Sequence, residues 1–263
     1  MNWIEVNGAA LRYELTGSGA TTLVLVHEMG GTLESWEGVL PAVSPGRRVL
    51  RYDTRGAGLS EKIKGSISFD TMVDDLAALL DALGIADRVV LAGVAVGAGI
   101  ALHFAARHPA RVAGVVAMAP ATGVAPDRRA ATLARADAME RDGPRPGAEA
   151  GFAGSYPEIV RRDGEVFRRF RARWLGNDPA SYAAIYRMLA AGTVTEELPS
   201  IACPVLMMAG QHDALRPPAL IEPLARTMPN ATFRAIDSAH YMAVQTPDLV
   251  AAAMVEFLTR IGA

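Results

Sequence analysis

A chain of 263 residues, 51% hydrophobic and 21% charged, is long enough for one α/β domain with an insertion and can bury a sizeable core. Its net charge of −2 gives no electrostatic footing for nucleic acid or an anionic membrane surface, so neither is expected as a partner. The single cysteine, Cys203, excludes an internal disulfide and fits a reducing compartment, and its place before Pro204 reads as burial rather than reactivity.

The opening segment, MNWIEVNGAALRYEL, has neither a basic n-region nor an apolar h-region, so no export signal is expected and the expected compartment is the cytoplasm. Residues 2–6 and 9–15 alternate apolar and polar side chains around Asn7-Gly8, which predicts a hairpin. Residues 22–26, TLVLV, form a continuous apolar run of the kind a strand needs when both its faces are covered. His27-Glu28-Met29-Gly30-Gly31 closes that strand, and a helix is expected over about 33–43. A strand over 48–52 leads into the loop 53–60, DTRGAGLS. Met72, Leu76, Leu79, Leu80 and Leu83 then share one face of a helix predicted over 69–83, with Gly84 ending it.

The stretch 89–106, VVLAGVAVGAGIALHFAA, organises the rest: a β-branched run, a glycine-rich turn, and a helix-compatible run. A turn so tight forces its central residue into a strained conformation and leaves no room for side chains two positions before and after. Gly93 and Gly97 meet that demand, and the spacing Gly93-x-Ala95-x-Gly97 is a G-x-S-x-G nucleophile elbow with alanine at the serine position. A membrane span is argued against by the glycines and the strand-like first half. A dinucleotide site is argued against because the glycines come far from the first strand and no acidic residue follows about twenty positions later. A small-residue contact between helix and sheet, without chemistry, is the remaining rival.

Residues 112–118 read as a further buried strand, so strand and helix alternate as a parallel sheet requires. Between 122 and 198 no strand-like run occurs; amphipathic helical stretches are broken at Gly143-Pro144 and Asn177-Asp178-Pro179. This predicts an α/β core over 1–121 and 199–263 with a helical cap over 122–198. Strand and helix resume at 205–209, 218–227, 232–236 and 248–261.

A serine hydrolase of such a fold carries nucleophile, acid and histidine in that chain order. Asp213 follows the strand 205–209 and His240 follows the strand 232–236, each where a strand's carboxyl end opens into a loop. His240 would take the nucleophile's proton, and Asp213 would hold its tautomer. Backbone N–H groups of Met29 and Val96 are the expected oxyanion donors. Of the other histidines, His103 is expected to pack in the helix after the elbow, His108 to mark that helix's end, and His212 stands one residue out of register with the acid. No histidine or cysteine pair has metal-ligand spacing, and neither a metal nor a cofactor is expected.

These segments together resemble the α/β-hydrolases over nearly the full length, and more narrowly the 3-oxoadipate enol-lactonase group, most closely at 48–60, 80–93, 104–112 and 178–182. The resemblance implies hydrolysis of an ester or lactone, often of a small acid, with a serine at position 95. Two departures stand out: Ala95, and His27-Glu28-Met29 where the group commonly carries a smaller polar pair. Replacing serine by alanine removes one oxygen and leaves the rest of the site, so the expectation is an inactivated serine hydrolase. The alternatives are a naturally non-catalytic binding protein and a hydrolase acting on C–C bonds.

The expected partner is a small molecule, with a homodimer allowed. Between 141 and 173 eight arginines face five acidic residues, a source for one or two inward-facing groups that would hold a substrate carboxylate. Phe152, Trp174 and Tyr186 are the expected pocket walls.

Overall fold

The computed structural model describes residues 2–263. Strands β1 (Asn2–Val6) and β2 (Ala9–Gly17) pair antiparallel across Asn7 and Gly8, whose φ angles of 47° and 72° are those a tight two-residue hairpin demands. β2 also pairs antiparallel with β4 (Arg48–Tyr52). The remaining pairings are parallel and involve β3 (Thr22–Val26), β4, β5 (Val89–Val94), β6 (Val112–Met118), β7 (Val205–Gly210) and β8 (Ala231–Ile236).

The eight strands lie in the order β1-β2-β4-β3-β5-β6-β7-β8. From β3 the chain moves outward to β4 and then returns to place β5 on the opposite side of β3. That reversal opens a crevice beyond the carboxyl ends of β3 and β5, the position at which open α/β sheets gather their sites.

Side-chain alternation along the central strands feeds two cores. Val24, Val26, Leu91 and Val115 join the side covered by α2 (Phe69–Ala82) and α3 (Val96–Arg107). Leu23, Leu25, Val90 and Val116 join the other, with Trp36 and residues of α10 (Pro247–Arg260). β3 and β5 are buried along their whole length, as their uninterrupted apolar runs require. Cys203, expected to be buried, is partly buried and packs against the first of these cores.

The helix expected over 33–43 is divided into a 3₁₀ turn, Leu33–Trp36, and the short α1, Leu40–Val43. Gly38 in the gap lies so close to the last helix that a Cβ there would come 2.7 Å from Pro247, and Pro41 supplies no N–H to continue the earlier turn.

Between β6 and β7 the chain is helical: α4 (Arg129–Asp142), α5 (Ala148–Ser155), α6 (Gly164–Leu175) and α7 (Pro179–Ala191). Asp163 accepts from Glu165 N–H at 2.7 Å to start α6, and Asp178 accepts from Ser181 N–H at 2.8 Å to start α7. A third apolar cluster joins α5, α6 and α7 to Tyr241 and Ala239, just beyond β8. After β7 come α8 (Pro218–Ala225) and, after β8, the short α9 (Met242–Gln245). Among the described residues no helix is long and apolar enough to cross a membrane.

Candidate active site

Ala95 links β5 to α3 with φ 51° and ψ −112°, one of three non-glycine residues at positive φ among the described residues. For an alanine this conformation costs energy, so the surrounding structure must impose it. A Cβ on Gly93 would lie 2.3 Å from Gly97 O, and one on Gly97 would lie 2.2 Å from Val26 O. Backbone fills both places. The geometry is that of a nucleophile elbow, occupied by a methyl group.

A row of backbone bonds runs from the elbow along the sheet edge. Ala95 N–H donates to Met118 O at 2.8 Å, Ala119 N–H to Met208 O at 2.8 Å, and Gln211 N–H to Ile236 O at 2.9 Å. The loops holding Ala95, Asp213 and His240 thus share one edge. A Cβ on Gly210 would come 2.6 Å from both Ser238 O and Ala239 O, so glycine there lets the acid and histidine loops approach.

His240 Nδ1 lies 2.8 Å from Asp213 Oδ2, with both residues buried. Asp213 Oδ1 accepts from the N–H groups of Leu215 at 2.8 Å and Arg216 at 3.0 Å. Burial works to push the Asp213 carboxyl up, but the charge and hydrogen bond of His240, then those N–H groups, hold it below the usual carboxylate range. An ionised carboxylate only accepts, so it fixes the proton on Nδ1 and leaves Nε2 as a base. Among the described residues nothing bonds to that Nε2.

The helical segment fixes both loops through two adjacent carbonyls. Gly154 O accepts from Ala214 N–H at 3.1 Å, beside the acid; Ser155 O accepts from His240 N–H at 3.2 Å. Gln245 strengthens the second contact by donating from Nε2 to Ser155 O at 2.8 Å while its Oε1 accepts from Ala239 N–H at 3.1 Å. No motif in the sequence pointed to Ser155 or Gln245, because their roles depend on a carbonyl and on a distant loop.

Met29 and Val96 line one narrow cleft of about 20 Å³, together with Glu28, Thr54 and, from α7, Tyr182 and Ile185. Val96 is the first residue of α3, so its N–H has no acceptor within the helix. Among the described residues no acceptor is found for Met29 N–H either. Ala95, Asp213 and His240 are not among the lining residues. His27 fixes the loop from below as a neutral ring: Nε2 accepts from Thr54 N–H at 2.9 Å, so the proton sits on Nδ1 and is donated to Glu28 O at 2.7 Å.

Of the aromatics expected as walls, none lines this cleft. Phe152 and Trp174 are buried against one another with ring centroids 5.1 Å apart, and Tyr186 meets Tyr182 edge to face at 5.4 Å. Tyr182 is the aromatic that reaches the cleft, its hydroxyl accepting from Trp174 Nε1 at 3.1 Å. The carboxylate clamp expected from the arginines of 141–173 is likewise not formed there, since none of them lines the cleft. Four of the eight, Arg141, Arg162, Arg168 and Arg171, pair with acidic neighbours, Arg171 with Glu149 at 2.7 Å. Arg173 alone reaches the loop after β3, donating to Ser35 Oγ at 3.1 Å.

The other histidines have other surroundings. His103 is buried between Asp70 and Glu197, His212 binds Asp237 at 2.9 Å, and His108 ends α3 with its ring 4.7 Å from Phe104. Among the described residues no group of histidine, cysteine or acidic side chains is arranged to hold a metal ion.

Residues 21–247 match the family model described as alpha/beta hydrolase fold. A relative from Azorhizobium caulinodans named "Putative carbamate hydrolase RutD" is 30% identical over 256 residues, covering 95% of each chain. Among solved structures, a thermophilic esterase from Thermogutta terrifontis superimposes with a TM-score of 0.93 at 29% identity, covering 100% of both chains. The enol-lactonase from Burkholderia xenovorans LB400 superimposes with a TM-score of 0.91 at 29% identity, covering 98% of this chain and 100% of its own.

Proposed function

The chain belongs to the α/β-hydrolase fold family, and from that premise we propose that its elbow, acid and histidine form a hydrolytic site for an ester or lactone bond in a small molecule. One observation carries this reading: an imidazole backed by Asp213 at 2.8 Å, with Nε2 free, on the same sheet edge as a residue strained at φ 51°. With a serine at the elbow, His240 Nε2 would take the hydroxyl proton as the oxygen attacks the carbonyl carbon. The N–H groups of Met29 and Val96 would hold the developing oxyanion; its collapse would break the bond to the alcohol oxygen, which leaves with the proton from His240 Nε2, and water activated by the same nitrogen would then hydrolyse the acyl-serine and restore the hydroxyl. Amide bonds are open to the same chemistry.

As the sequence stands, the Ala95 methyl has no lone pair to attack with. The chain is thus the nucleophile-deleted form of a serine hydrolase and holds its substrate uncleaved. Residues 122–198 act as the cap over the core, the partner is a small molecule with a homodimer allowed, and the compartment is the cytoplasm. The esterase and the enol-lactonase among the similar structures support ester or lactone cleavage. A naturally non-catalytic binding protein is the second reading, favoured by the alanine itself; a C–C bond hydrolase would use the same donors.

Substituting Ala95→Ser tests this. The variant is expected to hydrolyse p-nitrophenyl acetate with a burst of acyl-enzyme, on the order of a million-fold faster than the parent. A folded variant with no ester hydrolysis at neutral pH would leave the binding-protein reading standing.

A further inference from the structure

We propose that Glu28 is a recognition group of this site, selecting a neutral substrate with an N–H or O–H donor and disfavouring an anion. The inference rests on the hydrolase reading and names the substrate class within it. Glu28 is only 1% exposed, yet one carboxyl oxygen, Oε2, has no hydrogen-bond partner, and the residue lines the cleft beside Met29 and Val96. Leaving a buried carboxyl oxygen unpaired is costly, so a residue held this way is poised for a ligand.

The carboxyl is held by a chain of donors that all point one way. Arg173 Nη2 donates to Ser35 Oγ at 3.1 Å, and Ser35 Oγ donates to Glu28 Oε1 at 2.8 Å. Glu28 is therefore the terminal acceptor, and its other oxygen can only take a further donor. Its backbone is fixed too, because Glu28 O accepts from Gly31 N–H at 2.9 Å and from the His27 ring. A Cβ on Gly31 would lie 2.4 Å from Glu28 Oε1, so glycine there makes room for the carboxyl. Arg173 Nε, on the side chain that donates to Ser35, is likewise buried and without a partner.

Among the described residues no cation lining the cleft is free to balance a substrate carboxylate. Arg55 lines it but is held by Asp75, at 2.8 Å from Nε and 2.6 Å from Nη2. Arg173 does not line it, and the His27 ring is neutral by its bonding. A carboxylate entering would meet Glu28 as a like charge; an N–H or O–H would meet an acceptor of charge-assisted strength.

Calorimetric titration of the Ala95 protein with N-ethylbenzamide, ethyl benzoate and benzoate tests this. The amide is expected to bind about tenfold more tightly than the ester, with benzoate weakest. Glu28→Gln, checked for folding by its melting temperature, is expected to erase most of the amide preference and to improve benzoate binding. Amide and ester binding within about twofold of each other, or benzoate binding best, overturns the assignment. If Glu28→Gln does not fold, the parent's own ranking decides. The underlying reading fails separately: a folded Ala95→Ser variant without ester hydrolysis sinks the hydrolase, while an active one without the ranking sinks only the role of Glu28.

Discussion

Two buried histidines of this molecule sit beside carboxylates and differ in one respect. His240 has Asp213 at Nδ1 and nothing at Nε2, whereas His103 has Glu197 2.5 Å from Nδ1 and Asp70 2.8 Å from Nε2. Both His103 nitrogens are thus committed to carboxylate partners, and the ring joins α2, α3 and the turn Thr195–Ser200. His240 keeps one nitrogen as a base. Burial and an acidic neighbour are common to both; what separates a candidate catalyst from a structural clamp is an uncommitted nitrogen.

The largest effect that would sharpen this contrast is on turnover. In an Ala95→Ser background, Asp213→Asn is expected to lower kcat by about four orders of magnitude, because an amide no longer dictates which nitrogen holds the proton. His103→Leu in the same background is expected to leave kcat unchanged. An equal loss in both variants would break the comparison.

The smaller effect is on stability. His103→Leu removes the partner of two carboxylates, but Asp70 is 65% and Glu197 38% exposed at the side chain, so solvent screens the loss. Thermal unfolding is expected to show a deficit of about 1 kcal/mol, a fall of about 2–4 °C. That deficit depends on pH in a definite sense. The bond from His103 holds the Asp70 carboxyl below its ordinary 3.8, against burial. Its contribution is therefore complete above that value and is lost as pH falls through the lower folded one. Asp213, also held down, behaves alike, so the parent's acid unfolding is expected to be steeper below pH 3.8 than that of Asp213→Asn.

Much of this architecture was legible in the residues themselves. Gly93 and Gly97 announced the elbow because backbone fills the space a side chain would need, from Gly97 at the first position and from Val26 at the second. Asp213 and His240 were legible because strand ends and chain order place them, and the structure joins them at 2.8 Å. The divided segment 33–43 was not, since its break depends on contact between Gly38 and the distant Pro247. The helical segment was least legible: periodicity shows that a helix has an apolar face, not what that face meets. Trp174 thus packs on Phe152 rather than on the cleft, and Arg173 alone of its cluster turns toward Ser35. Glu28 stood out in the sequence only as a departure from a resemblance; its unpaired oxygen is visible only in three dimensions.

The central claim is that a free imidazole nitrogen serves residue 95. Labelling with a fluorophosphonate, read by intact-protein and peptide mass spectrometry, tests it most directly. The account predicts one adduct on the serine introduced by Ala95→Ser, none in the parent, and none when His240→Ala is added. A folded Ala95→Ser protein that stays unlabelled, or that is labelled as fast without His240, would contradict it.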